Sequence, residues 1–113
     1  MYWFDVSEKD FEEKVIKLSE EKPVIVDFWA SWCMPCVLLA PILEKVVEEL
    51  GGRVYLAKVN VDENPSLAQK YEIMTIPNVK LFIGGKVVDE FVGLHPESEV
   101  KSWILKHLEE KNV

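Results

Sequence analysis

Val24-Ile25-Val26-Asp27-Phe28-Trp29-Ala30-Ser31-Trp32-Cys33-Met34-Pro35-Cys36 is the stretch that decides the fold. Residues 24–30 form a nearly unbroken apolar run. Apolar residues on both faces predict a central strand covered on each side. Beyond it, Leu39, Leu43, Val46 and Leu50 keep helical spacing. A strand therefore feeds directly into a helix, and Cys33 and Cys36 stand at the junction. Two residues between them bring their side chains together on one helical face. Such a pair can pass between dithiol and disulfide with little backbone movement.

Pro23 starts this strand, and residues 2–6 read as an earlier one. Ser7 and Asp10 resemble a capping box, and Phe11, Val15 and Leu18 form the buried stripe of a first helix. The second helix runs over about 33–50, carries Pro41 inside, which predicts a kink, and ends at Gly51-Gly52. Residues 53–61 alternate as a third strand. Asn64-Pro65 joins an N-cap to a proline at the first helical position, opening a short helix to about Tyr71. Residues 79–83 and 86–92 flank Gly84-Gly85, a two-residue hairpin turn. Pro96 opens a last helix, with Val100, Trp103, Ile104 and Leu108 toward the core. The order βαβαβαββα predicts an α/β fold. Its early crossovers are parallel, its final hairpin is antiparallel, and helices cover both faces of the mixed sheet.

The 113 residues suit one domain over 1–113. A chain of this size buries about two-thirds of its unfolded surface, enough to fold without covalent staples. Its two cysteines are too few for a disulfide scaffold. The net charge of −7 argues against nucleic acid, whose phosphates need a basic face. No stretch approaches the ~20 apolar residues of a membrane span. The opening Met1-Tyr2-Trp3-Phe4-Asp5 lacks the basic region and apolar core of a signal peptide. The expected setting is a cytoplasmic monomer. Thiols there are mostly kept reduced, so a close pair is expected to be reactive.

Val26-Asp27-Phe28-Trp29-Ala30, Trp32-Cys33-x-Pro35-Cys36, Ala40-Pro41, Lys58, Ile76-Pro77 and Gly93 together resemble the thioredoxin family in order and approximate spacing. The resemblance covers nearly the whole chain. It implies a thioredoxin fold, a five-stranded mixed sheet flanked by four helices. It implies reduction of protein disulfides by thiol exchange, with no separate cofactor on the protein. The implied partners are a thioredoxin reductase, NADPH-dependent and flavin-containing or ferredoxin-linked, and disulfide-bearing clients. Peroxiredoxin, methionine sulfoxide reductase and ribonucleotide reductase are clients of that kind.

Cys33 is the expected attacking thiol, because unpaired N–H groups and the dipole at a helix N-terminus favour a thiolate. Cys36 then attacks the mixed disulfide and releases the reduced client. The competing readings are an inert buried pair and a zinc site. The junction argues against the first. Structural zinc needs four ligands, and only His95 and His107 remain. His107 reads as a structural histidine beside an apolar stripe, and His95 as a strand end or helix cap.

Asp27 is the odd polar residue in the apolar run. Burial there raises its proton affinity. It is expected to relay a proton, through water, when Cys36 becomes the nucleophile. The family match suggests a hydrogen bond or charge contact from Lys58. The plainer readings are a buried hydrogen-bonded acid and a solvated lysine. By resemblance the Ile76–Pro77 bond is cis and lies beside the disulfide, where Ile76 backbone can pair with an extended client. Without that match, Pro77 merely starts a strand. Trp29, Trp32, Met34, Pro35, Met74, Ile76 and Gly93 are expected to bind the client around Cys33, mostly as an apolar rim. Trp3 and Trp103 are assigned to packing.

Four positions depart from the family pattern. Met34 stands for a usual Gly and Val37 for a usual Lys, which removes a positive charge near Cys33. Thr75 stands for Gly and Asn78 for Thr, both in the expected groove. The expected function is a general protein-disulfide reductant. Two alternatives are a dedicated relative, serving one client or acting as isomerase or oxidant, and a binding module whose thiols are incidental.

Overall fold

Strand β2, Val24–Trp29, occupies the centre of a five-stranded sheet in the computed structural model, which describes residues 1–111. The other strands are β1 (Trp3–Asp5), β3 (Tyr55–Asn60), β4 (Asn78–Ile83) and β5 (Lys86–Val92). Their order is β1-β3-β2-β4-β5. β1 and β2 both run parallel to β3, whereas β4 is antiparallel to β2 and β5. Four helical segments flank the sheet. They are α1 (Glu12–Lys17, running on into Leu18–Glu20), α2 (Met34–Glu49), α3 (Pro65–Lys70) and α4 (Glu97–Lys111). The expected element order and mixed sheet are thus both present.

Alternation along the strands divides the apolar residues into two cores. Ile25, Leu56, Val79 and Leu81 face Leu39, Leu43 and Val46 of α2 and Val100 and Ile104 of α4. On the other side, Val24, Val26, Phe28, Ala57, Val59 and Phe82 meet Phe11, Val15 and Leu67. A strand between two cores can carry no water-facing side. This accounts for the apolar character of β2.

The first helix departs from the regular one expected. It is wound in wider π geometry over Glu12–Lys17 and tightens to a 3-10 turn at Leu18–Glu20. Only part of the capping box forms. Asp10 Oδ1 accepts from the Ser7 N–H at 2.7 Å, but Ser7 Oγ accepts from Lys9 N–H rather than that of Asp10. The inward positions are Phe11, Val15 and Ser19, so Ser19 takes the fully buried place expected of Leu18. Ser19 Oγ donates to the Ile16 carbonyl at 2.7 Å and accepts from Gly85 N–H at 2.8 Å. The Ser19 carbonyl accepts from Gly84 N–H at 2.8 Å. Gly84 and Gly85 have φ of +63° and +81°, as a two-residue hairpin turn requires. One serine therefore fastens the β4–β5 turn to α1.

Asn64 precedes α3 as expected but its side chain does not cap the helix. It accepts from Glu8 N–H and donates to the Asn60 carbonyl, both at 3.0 Å. Glu8 Oε1 takes the capping role instead, accepting from Ser66 N–H at 2.9 Å. Helix α2 continues through Pro41 and stops before Gly51 and Gly52, whose φ values are +57° and +93°. Among the described residues, no helix is long and apolar enough to cross a membrane.

Replacing Ser19 by alanine leaves the part-buried Gly85 N–H without its acceptor. The Ser19→Ala variant should lose about 1–3 kcal/mol of stability in urea denaturation, with the fold retained. An unchanged midpoint would show that the turn does not depend on this hydroxyl.

Candidate active site

The site starts where β2 ends. Ala30 accepts through its carbonyl from Cys33 N–H at 3.2 Å, which closes the turn into α2. Cys33 is the N-cap, in extended conformation at φ −95° and ψ 104°. Its sulfur accepts from Cys36 N–H at 3.3 Å, meeting one of the donors that every helix start leaves unpaired. Pro35 sits in the first turn, where its missing N–H is no loss. No acidic side chain occupies that turn. Cys33 and Cys36 form a disulfide with their Cα atoms 5.3 Å apart. Cys33 is 5% exposed and Cys36 1%, so Cys33 is the one that meets solvent. Trp29, Val61 and Ile76 pack against the pair.

The facing wall is the segment before β4. Cys33 Sγ lies 3.8 Å from the Ile76 carbonyl, to which a Cys33 thiol can donate in the dithiol state. The Ile76–Pro77 peptide bond is cis. The Pro77 carbonyl accepts from Gly93 N–H at 2.9 Å, which brings the end of β5 to the same place. Gly93 has φ +90°, and a Cβ there would meet nothing within 4 Å. Backbone conformation demands the glycine, and the space above it is open. Trp32 (69%), Met34 (64%) and Met74 (92%) present large apolar surface. The Trp32 indole N–H donates to Asp62 Oδ2 at 2.8 Å, so this exposed ring has a fixed orientation.

Beside this wall lies a hollow of about 350 Å³, lined by Met74, Thr75, Asn78, Lys80, Glu90 and Val92 among others. Lys80 is buried and pairs with Glu90 at 2.6 Å. Asn78 Nδ2 donates to the same carboxylate oxygen at 3.4 Å. Glu90 is held below the usual carboxylate range, first by the Lys80 hydrogen bond.

Asp27 is completely buried on β2. Neither carboxylate oxygen has a hydrogen-bond partner among the described residues. Burial pushes its pKa up to about 7; the Lys58 cation lowers it, and the Glu44 carboxylate adds to the rise. Lys58 is the register neighbour of Asp27 on β3, so its influence is a charge contact across the ladder. The hydrogen bond that the family match suggested goes elsewhere. Lys58 Nζ donates to Glu44 Oε2 at 2.9 Å. Its ammonium also lies over the Trp3 and Trp29 rings, 5.2 and 5.9 Å from their centroids. Trp3 therefore does more than the packing assigned to it.

Glu44 and Asp62 were not among the expected site residues. Glu44 carried a signal, since Cys36, Ala40 and Glu44 recur every four residues along one side of α2. Asp62 carried none beyond its position after β3. The histidines serve the fold. His107 pairs with Asp89 at 2.7 Å. His95 packs edge-on against Phe91 and contacts Glu99. Trp103 packs edge-on against Phe91.

A disulfide between two cysteines three apart, closed across the first turn of a helix and open on the Cys33 side, can take two electrons from a dithiol and, as the dithiol, pass them to another disulfide. Such a pair on this sheet defines a thiol-disulfide oxidoreductase. Comparison with known proteins narrows the class. The family model described as Thioredoxin matches residues 3–106. The thioredoxin of Chlorobaculum thiosulfatiphilum is 42% identical, over 94% of this chain and 96% of its own. That of Rickettsia bellii is 46% identical, over 88% and 93%. A Staphylococcus aureus thioredoxin is 43% identical, over 91% and 95%. The chain belongs to the thioredoxin family. Membership implies a reductase that restores the dithiol and client proteins that consume it.

The buried carboxyl makes a stability prediction with a definite sign. Its folded pKa of about 7 lies above the ordinary 3.8, so the native state holds the extra proton between those values. Stability therefore falls as pH rises from about 4 to about 7 and stays low above. An Asp27→Asn variant lacks this loss. Measured on the oxidised protein, its advantage over the parent should grow by roughly 3–4 kcal/mol between pH 4 and pH 8. Parallel stability curves would show that Asp27 ionises with ordinary affinity.

Proposed function

We propose that this chain works as one domain, a cytoplasmic monomer and a general protein-disulfide reductant. The observation that carries the reading is the Cys33–Cys36 bond across the first turn of α2, with its more exposed sulfur facing the Ile76 carbonyl. In the dithiol state the N-terminus of α2 favours the Cys33 thiolate. That thiolate attacks one sulfur of a client disulfide and displaces the other as a thiolate. Cys36 loses its proton, attacks Cys33 Sγ, and releases the second client sulfur. One disulfide is lost from the client and one formed here, with two electrons transferred. Asp27 takes the Cys36 proton through water, a role suited to a carboxyl that titrates near neutrality.

The client lies across the rim of Trp29, Trp32, Met34, Pro35, Met74 and Ile76. Its extended backbone pairs with Ile76 and passes close over Gly93, while Pro77 shapes the wall. Apolar contacts of this kind are non-directional and tolerate many sequences. A thioredoxin reductase returns the disulfide to the dithiol. Peroxiredoxin, methionine sulfoxide reductase and ribonucleotide reductase are clients of the expected chemistry.

A second reading, a dedicated redox partner, draws on one feature. The Asn78–Glu90–Lys80 network puts a polar, charged floor beside the apolar rim. Comparable rates with several unrelated client disulfides favour the general reductant, and a single reactive client favours the dedicated one.

Cys33→Ser should abolish reduction of protein disulfides, whereas Cys36→Ser should accumulate a mixed disulfide with the client on non-reducing gels. Reduction that survives Cys33→Ser would remove the assignment. Asp27→Asn should slow exchange near neutral pH, and an unchanged rate would leave Asp27 outside the reaction.

A further inference from the structure

Lys58 is one cation among three carboxylates. Asp5 on β1 and Asp27 on β2 are its register neighbours on either side. Register neighbours point to the same face of a sheet, so the three side chains stand in a row. Glu44 reaches that face from α2 and takes the ammonium at 2.9 Å. Both partners are largely withdrawn from solvent, with side-chain exposures of 15% and 24%. The Trp3 and Trp29 rings hold the same ammonium from their own sides. Asp27, one strand away at about 4.8 Å, is left without a hydrogen bond from any described residue.

We propose that Glu44 is a positioning residue of the exchange reaction, which takes the Lys58 ammonium in a direct hydrogen bond and so leaves the Asp27 carboxyl only a weaker charge contact with it across the ladder. A lysine stem is long enough to serve either acid, and the 2.9 Å contact decides which it serves. The groups around Asp27 make the consequence one-directional. Lys58 faces it from β3, Glu44 acts from α2, and the opposite neighbour on β4 is the uncharged Val79. Cys36 is held in the disulfide, and Asp5 is exposed beyond Lys58. Neutralising Glu44 removes a charge that opposes ionisation of Asp27 and frees a cation that favours it. Both changes lower the pH at which Asp27 loses its proton. The effect on catalysis rests on Asp27 acting as the proton relay, whereas the effect on its titration does not.

The experiment follows the Asp27 carboxyl carbon by NMR across pH in the oxidised protein, with the pH profile of disulfide reduction measured alongside. In Glu44→Gln the Asp27 midpoint should fall by about one pH unit or more. An unmoved midpoint overturns the proposal. The same substitution made in a Lys58→Met background should move the midpoint much less, because no cation is then released. An equal movement in both backgrounds also overturns it, since Glu44 would then act only through its own charge. If the midpoint falls and the acidic limb of the rate profile moves with it, positioning and relay both stand. If the midpoint falls while the rate profile stays, Glu44 positions Lys58 as proposed and the relay reading of Asp27 fails.

Discussion

Strand β2 has to be buried on both faces and still end at a reactive surface. The direct passage of its last residue into the turn before α2 meets both demands. Val24 to Phe28 are enclosed between the two cores, and a few residues later Cys33 stands at an unpaired helix N-terminus. The hydrogen bond from Cys36 N–H to Cys33 Sγ makes a cysteine serve as its own helix cap. Cys33 is thereby fixed by the same bonds that start the helix. Everything else in the site is brought to this point: Ile76 and Pro77 before β4, Gly93 after β5, and Trp32 through its bond to Asp62.

The same enclosure sets the chemistry of Asp27. A carboxylate between two apolar layers is costly to ionise, and this one has no hydrogen bond from another described residue to offset the cost. A cation is close at hand on β3 but is engaged by Glu44 and two indole faces. The carboxyl is consequently destabilising at neutral pH, the range in which the proposed proton relay would use it. Functional groups held at an expense to stability are a common feature of active sites.

Much of this architecture was legible in the chain itself. The two-faced apolar run of β2, the stripe of α2 and the Gly84-Gly85 turn each follow from a local periodicity or a backbone requirement. Their positions, order and pairing sense come out as expected. The family resemblance supplied what periodicity could not, including the cis bond at Pro77 and its place beside the disulfide. What escaped were choices among polar partners. Asn64 has the composition of a cap yet binds Glu8 and Asn60, and Glu8 caps α3 from a loop 58 positions away from Ser66. Ser19 rather than Leu18 turns inward because the hairpin needs an acceptor there. Lys58 prefers Glu44 to its own sheet neighbour. Each outcome depends on tertiary distances that no spacing rule encodes.

As proposed, Cys33 and Cys36 give electrons to client proteins under reducing conditions. The most direct test is the reduction potential of the Cys33–Cys36 couple, obtained by equilibration against a defined thiol–disulfide buffer. Met34 and Val37, one between the cysteines and one just after them, make this value informative for this chain in particular. A potential well below that of the glutathione pool is the predicted result, since the dithiol can then reduce clients and be maintained by a reductase. A potential near or above that pool would contradict it, and would assign the pair to disulfide isomerisation or oxidation instead.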